Sequence, residues 1–236
     1  MTTTDKAISI DDAVLRLYKN NMSYTKNTPQ SLFNSVQTGQ WPWVGIVNCS
    51  DSRITVGSIL GVKARMGQAF NCSCAGTLVA SMRGSIEFAV DNLGIKLLFI
   101  EGHTKCAMVK AALADDISGQ RKNIQKDAKS VKKKIDSVDI DPKISSLDDL
   151  TQGVIMNTFA QANEVQSWFK KEVKSGEVTV ISSLYDLHDK IGGGFGRQYI
   201  YSINGEICAD DLMKHPAMAK LDRSQRADIL LTRERF

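Results

Sequence analysis

Leu97-Leu98-Phe99-Ile100-Glu101-Gly102-His103-Thr104-Lys105-Cys106 is the stretch that decides the fold of this chain. The apolar run Leu97 to Ile100 reads as a strand, and a helix opens near Cys106 and runs to Leu113. His103 and Cys106 fall on the turn between them, a spacing that aims both side chains the same way. The arrangement has a counterpart upstream. Trp43 to Val47 reads as a buried strand, and Cys49-Ser50-Asp51-Ser52-Arg53 follows it at once.

Outward from these two segments, strands and helices alternate. Residues 8–22 suit an amphipathic helix, with Ser9 as its cap and Ile10, Val14, Leu17 and Tyr18 at helical spacing. A polar stretch leads to Gln40. Ile54 to Leu60 reads as a short helix, Ala69 to Cys72 as a strand, and Gly76 as a turn. Arg83 to Asn92 suits a helix that Gly94 ends. Gly153 to Lys174 is helical, and Val178 to Ser182 is a strand that Tyr185-Asp186-Leu187 continues or turns. Gly192 to Gly196 is a flexible loop, and Tyr199 to Ile203 a strand beside the turn Asn204-Gly205. Such alternation predicts an α/β fold, a mainly parallel central sheet flanked by helices, with an amino-terminal helical arm. We expect one domain over 1–236, with the arm at 1–39. The stretch 114–150, rich in Lys, Asp and Ser, is expected to be a charged helical insertion or surface excursion, partly mobile.

Ligands of parallel sheets bind beyond the carboxyl ends of strands. Two adjacent strands would therefore bring Cys49, His103 and Cys106 together. Two thiols and an imidazole are zinc ligands, and three protein ligands leave a position open for water. One zinc per chain is expected. Asp51 and Arg53 add a carboxylate and a guanidinium close to it. Two thiolates cancel the charge of zinc, so water bound there should ionise above the value of about 7 reached in three-histidine sites.

Bulk properties exclude several classes. The chain has 42% apolar and 24% charged residues and a net charge of +4. Its densest basic run, Lys132-Lys133-Lys134, sits among Asp127, Asp136, Asp139 and Asp141, which is no nucleic-acid footprint. No apolar run suits a membrane span. Met1-Thr2-Thr3-Thr4-Asp5-Lys6 lacks the pattern of a signal peptide, and five cysteines form no secreted framework. A cytoplasmic protein is the expectation. Cys72 and Cys74 are expected as core or pocket thiols and Cys208 as a structural one; His188 is a candidate proton relay.

The quoted segments resemble the β-class carbonic anhydrases. That family carries Cys-x-Asp-x-Arg, a Ser-Leu-Glu-Tyr-Ala-Val-like helix and Gly-His-(Ser/Thr)-x-Cys-Gly. The counterparts here are Cys49-Ser50-Asp51-Ser52-Arg53, Ser85-Ile86-Glu87-Phe88-Ala89-Val90 and Gly102-His103-Thr104-Lys105-Cys106-Ala107. The resemblance implies reversible hydration of carbon dioxide to bicarbonate by a zinc-bound hydroxide, with Asp51 and Arg53 as the catalytic pair. It implies that Gln40 hydrogen-bonds the substrate and that Phe70, Ala75 and Phe88 wall an apolar slot. It further implies a homodimer or a dimer-based tetramer, the amino-terminal helix reaching over the partner. Departures surround the pocket: Ser73-Cys74 replaces an Arg-Asn pair, Phe88 a tyrosine, and Ala107-Met108 smaller residues. They keep open a hydrolase of carbonyl sulfide or carbon disulfide on the same site. A zinc-stabilised interaction or bicarbonate-sensing protein, with 114–150 as its contact surface, is a third reading.

Overall fold

The computed structural model describes residues 8–61, 66–139, 144 and 146–231. The chain divides into two compact units between Gln40 and Trp41.

The first unit is helical. Helix α1 (Ile10–Asn27) starts at Ser9, whose hydroxyl accepts from the Asp12 amide at 3.3 Å. It continues five residues past the expected end at 22. The extension is polar and carries no apolar period, but Thr25 and Asn27 hydrogen-bond back to carbonyls one turn earlier. Helix α2 (Gln30–Asn34) follows, and Tyr24 of α1 meets Phe33 of α2 edge to face at 6.2 Å. None of α1 is buried: Ile10, Val14, Leu17 and Tyr18 all stand exposed.

The second unit is built on a five-stranded sheet. Its strands are β1 (Val44–Asn48), β2 (Ala69–Ser73), β3 (Leu97–His103), β4 (Thr179–Asp186) and β5 (Arg197–Ile203), in the order β2-β1-β3-β4-β5. The first four are parallel and β5 is antiparallel to β4. Helices connect the parallel strands: α3 (Gly57–Leu60), α4 (Arg83–Asp91), then α5 (Ala107–Ala112), α6 (Lys122–Asp136), α7 (Asp149–Trp168) and α8 (Lys170–Ser175). Helices α9 (Ala209–Lys214) and α10 (Arg223–Ile229) follow β5.

Alternation of side chains along the strands divides the core. Val47, Leu98 and Ile100 pack with Ile86 of α4 and Val165 of α7. Ile46, Phe99 and Ile181 pack with Leu212 of α9 and Leu230 beyond α10. The charged stretch contains α6, which buries Ala128, Val131 and Ile135 in the cluster that also holds Cys49 and Cys106. Among the described residues, no helix is long and apolar enough to cross a membrane.

Two strands run further than their apolar cores. β3 continues to His103 because β4 continues beside it, pairing Glu101 with Ser183, Gly102 with Leu184 and His103 with Tyr185. This extension makes His103 the last residue of a strand. Gly102 permits it: a Cβ there would overlap Thr158 and Val154 of α7, which lies across the strand.

β1 pairs with β2 on one side and β3 on the other. The chain steps one way from β1 and the other way after β2, so strand order reverses between β1 and β3. Ligands of open α/β sheets bind at such a reversal, outside the carboxyl ends.

Candidate functional site

Cys49 is the first residue after β1, and His103 closes β3. Val47 and Ile100 are in register, so the two strand ends lie side by side. Thr104 and Lys105 make a tight turn, with Lys105 in the left-handed region at φ 57°. That turn returns the chain at Cys106, which caps the start of α5. The Sγ atoms of Cys49 and Cys106 are 3.9 Å apart. With a ring nitrogen of His103 they form a group of ligand atoms lying within 4.8 Å of one another, all buried.

The donors suit zinc. Nδ1 of His103 lies 3.2 Å from the Thr104 carbonyl, while Nε2 is buried with no partner. Holding the proton on Nδ1 leaves the Nε2 lone pair free for a metal. The two sulfurs are in hydrogen-bond contact, and either can be the donor. That contact lowers the Cys49 thiol and, together with burial, raises that of Cys106. A divalent cation replacing the thiol protons would satisfy both sulfurs and the orphaned nitrogen at once. Another group, Glu206, Cys208 and Asp211, lies wholly exposed.

Asp51 and Arg53 meet as a fork. Arg53 donates from Nε to Oδ1 at 2.8 Å and from Nη2 to Oδ2 at 2.7 Å, and its own amide donates to Oδ1 at 3.0 Å. These hydrogen bonds hold the Asp51 carboxyl well below the usual range, so it is ionised at any physiological pH. Oδ2 also lies 4.0 Å from Nε2 of His103, which puts the carboxylate at the edge of the ligand group. Arg53 further reaches the Lys105 carbonyl at 3.4 Å and so ties the two ligand-bearing segments together.

The other expected residues are spread more widely. Phe70 and Phe88 face each other with ring centroids 6.1 Å apart. Phe70 is half-buried against the cluster of Val47, Cys72 and Ile86, while Phe88 and Ala75 are exposed. Gln40 is the exposed last residue of the first unit. Cys72 is buried, and Cys74 donates to the Leu78 carbonyl at 3.4 Å. Cys208, expected to be structural, is exposed at the start of α9.

Several buried groups around the centre were not read from sequence. Thr104 is fully buried; its amide donates to the Tyr185 carbonyl at 3.1 Å, and its hydroxyl accepts from the Leu187 amide at 3.0 Å. That hydroxyl also lies 2.9 Å from Nδ1 of His188. Glu101, facing the same side of β3 as His103, accepts from Gln198, and burial pushes its carboxyl up to about 7. Asn157 and Gln161 line α7 behind the Gly76 turn. The available signal was a pair of amides one turn apart on a helix face otherwise holding Val154, Ala162 and Val165.

Comparison with known proteins bears on this arrangement. The family model described as carbonic anhydrase matches residues 44–193. Carbonic anhydrase 2 of Mycobacterium tuberculosis is 28% identical over 204 residues, covering 81% of this chain and 94% of that protein. Among solved structures, Coccomyxa β-carbonic anhydrase in complex with acetazolamide superposes with a TM-score of 0.63 at 20% identity, covering 94% of this chain and 97% of that one. A structure from work on two tetrameric β-carbonic anhydrases of Sordaria macrospora gives a TM-score of 0.61 at 20% identity, covering 80% and 96%.

Proposed function

This chain belongs to the β-class carbonic anhydrase family, and on that footing we propose that it is a zinc lyase converting carbon dioxide and water reversibly to bicarbonate. The observation that carries the reading is the buried Cys49, His103 and Cys106 group with the Asp51–Arg53 fork at its edge. Zinc held by these three residues would supply a water ionisable near neutral pH, with the acidification moderated by two thiolates.

The chain's own residues do the rest. Asp51, ionised and clamped, is a fixed hydrogen-bond acceptor that orients a hydroxyl group and cannot itself deliver a proton. Arg53 fixes the direction of that acceptor. Phe70, with its partner ring Phe88 and with Ala75, forms one wall of an apolar slot for a linear substrate. A purely structural zinc site has no use for the Asp51–Arg53 fork, which weighs against a bicarbonate-sensing or interaction protein. The protein acts as a homodimer or dimer-based tetramer, in line with the tetrameric Sordaria relatives. Free cysteines fit a reducing compartment, here the cytoplasm.

One observation favours a second substrate class. The Phe70–Phe88 pair offers two rings and no hydroxyl, a soft wall that suits sulfur better than oxygen. Carbonyl sulfide or carbon disulfide would then be hydrolysed on the same site. Turnover of carbon dioxide and carbonyl sulfide by one zinc-loaded sample decides between them. Faster carbon dioxide hydration at matched concentration is expected; faster carbonyl sulfide hydrolysis replaces the first reading with the second.

A further inference from the structure

One layer behind Cys49 lies the turn Ala75-Gly76-Thr77. The amide of Gly76 points at the Cys49 sulfur, with N to Sγ at 3.4 Å. Gly76 is left-handed at φ 72°, and a Cβ there would stand 2.7 Å from Cγ of Met108. Only glycine suits the position, and glycine does not fix its own conformation. The turn is held from outside.

What holds it is a chain of buried side chains on α7. Nδ2 of Asn157 donates to the Gly76 carbonyl at 2.9 Å. Nε2 of Gln161 donates to Oδ1 of Asn157 at 3.1 Å, and Oε1 of Gln161 accepts from the Val79 amide at 3.2 Å. Asn157 is 2% exposed and Gln161 is fully buried. Thr77 secures the other flank by donating to the Glu101 carbonyl at 3.2 Å. Two amides in a helix core are costly unless every bond is made. Here the chain of bonds ends on the carbonyl of one glycine, whose remaining polar group, its N–H, goes to the Cys49 sulfur.

We infer that Asn157, backed by Gln161, is a positioning residue for Cys49. Through Gly76 it fixes an N–H donor on the sulfur, which stabilises the thiolate and sets how strongly that ligand binds and donates to metal. The inference rests on the reading of Cys49 as a zinc ligand. Removing an outer partner that orients a metal ligand typically costs roughly 10–100-fold in affinity. An N–H bond lowers the energy of the sulfur lone pairs, so its loss moves thiolate-to-metal charge transfer to lower energy.

The test uses the full chain loaded with cobalt(II) in place of zinc, and separately with zinc against a competing chelator. Asn157→Leu is expected to shift the cysteinate-to-cobalt charge-transfer band to lower energy and to weaken zinc about tenfold. Gln161→Leu is expected to shift both in the same direction, by less. Folding is checked by circular dichroism. If Asn157→Leu does not fold, Gln161→Met decides alone by the same two readouts. Folded variants with the parent band position and the parent zinc affinity overturn the inference, leaving the amides as a purely structural brace. A parent protein showing no thiolate band overturns it together with the zinc assignment. Neither readout needs turnover, so a shifted band in a protein that hydrates no carbon dioxide keeps the inference while the functional reading falls.

Discussion

Arg53 engages both carboxylate oxygens of Asp51, and the oxygen taken by Nη2 at 2.7 Å is also the one 4.0 Å from Nε2 of His103. A carboxylate held this way is an oriented acceptor at the ligand group. Were the pair only a surface contact, it would be worth about 0–1 kcal/mol and nothing in rate. We expect Arg53→Ala and Asp51→Ala each to lower turnover by about 10–100-fold while zinc content stays at the parent level. Stopped-flow hydration at saturating buffer, paired with metal analysis, checks this. Parent rates in both variants would reduce the fork to a surface ion pair.

The sulfurs of Cys49 and Cys106 stand 3.9 Å apart beside the buried, unpartnered Nε2 of His103, so the three ligand atoms are poised to take up a cation. Serine in place of Cys106 offers a hydroxyl that stays protonated at neutral pH and binds zinc poorly. Cys106→Ser is expected to lose stoichiometric zinc on dialysis against a chelator that leaves the parent loaded. Removing zinc from the parent should also lower its melting temperature, because metal bound only by the folded state stabilises that state. Full zinc retention in the variant would take Cys106 out of the ligand set.

Much of this site was legible because the chemistry is compressed into short segments. Cys49, Asp51 and Arg53 fall within one loop, and His103 and Cys106 within one turn, so local spacing already grouped them. The alternation of apolar runs and helices placed both segments at strand ends. What spacing left hidden is contact across the chain. Asn157 touches Gly76, Gln198 touches Glu101, and Thr104 touches His188, each pair separated by more than eighty residues. Strand ends were underestimated for the same reason. Glu101 and Gly102 break the apolar run in sequence, yet β4 supplies hydrogen bonds that keep the strand going to His103. In the charged stretch, lysines outnumber Ala128, Val131 and Ile135, but these recur along one face of α6 and bury it.

Ile10, Val14, Leu17 and Tyr18 stand exposed along α1, and the helix buries no residue within its own unit. An apolar stripe of that kind favours association. Sedimentation velocity of the parent is expected to show a dimer or a dimer-based tetramer. The double substitution Val14→Lys and Leu17→Lys should shift it toward smaller species. A parent protein that sediments as an active monomer would remove the assembly from the proposal.

Glu101 makes the stability of the fold depend on pH. It is 1% exposed on β3, and desolvation raises its carboxyl from an ordinary 4.5 to about 7. Burial outweighs the donors that face the carboxyl, Gln198 and more weakly Ser58 and Asn48, and its Oε1 and the Oε1 of Gln198 make no close hydrogen bond, so a protonated carboxyl, which brings a donor, suits the site better than a carboxylate. The sign follows from proton uptake. Between about pH 4.5 and pH 7 the folded chain holds this proton and the unfolded chain does not, so the contribution of Glu101 to stability falls as pH rises through that window and is level above it. The full swing is on the order of 3 kcal/mol. The Glu101→Gln substitution would keep an acceptor for Gln198, carry a donor at every pH and leave no charge to bury. Thermal melts of the parent and this variant should therefore draw apart with rising pH. The variant's advantage should be smallest near pH 5, grow to several degrees by about pH 7.5 and then hold constant. An advantage that is flat across this range would show that the carboxylate is accommodated without cost, with Gln198 and neighbouring dipoles already balancing its burial.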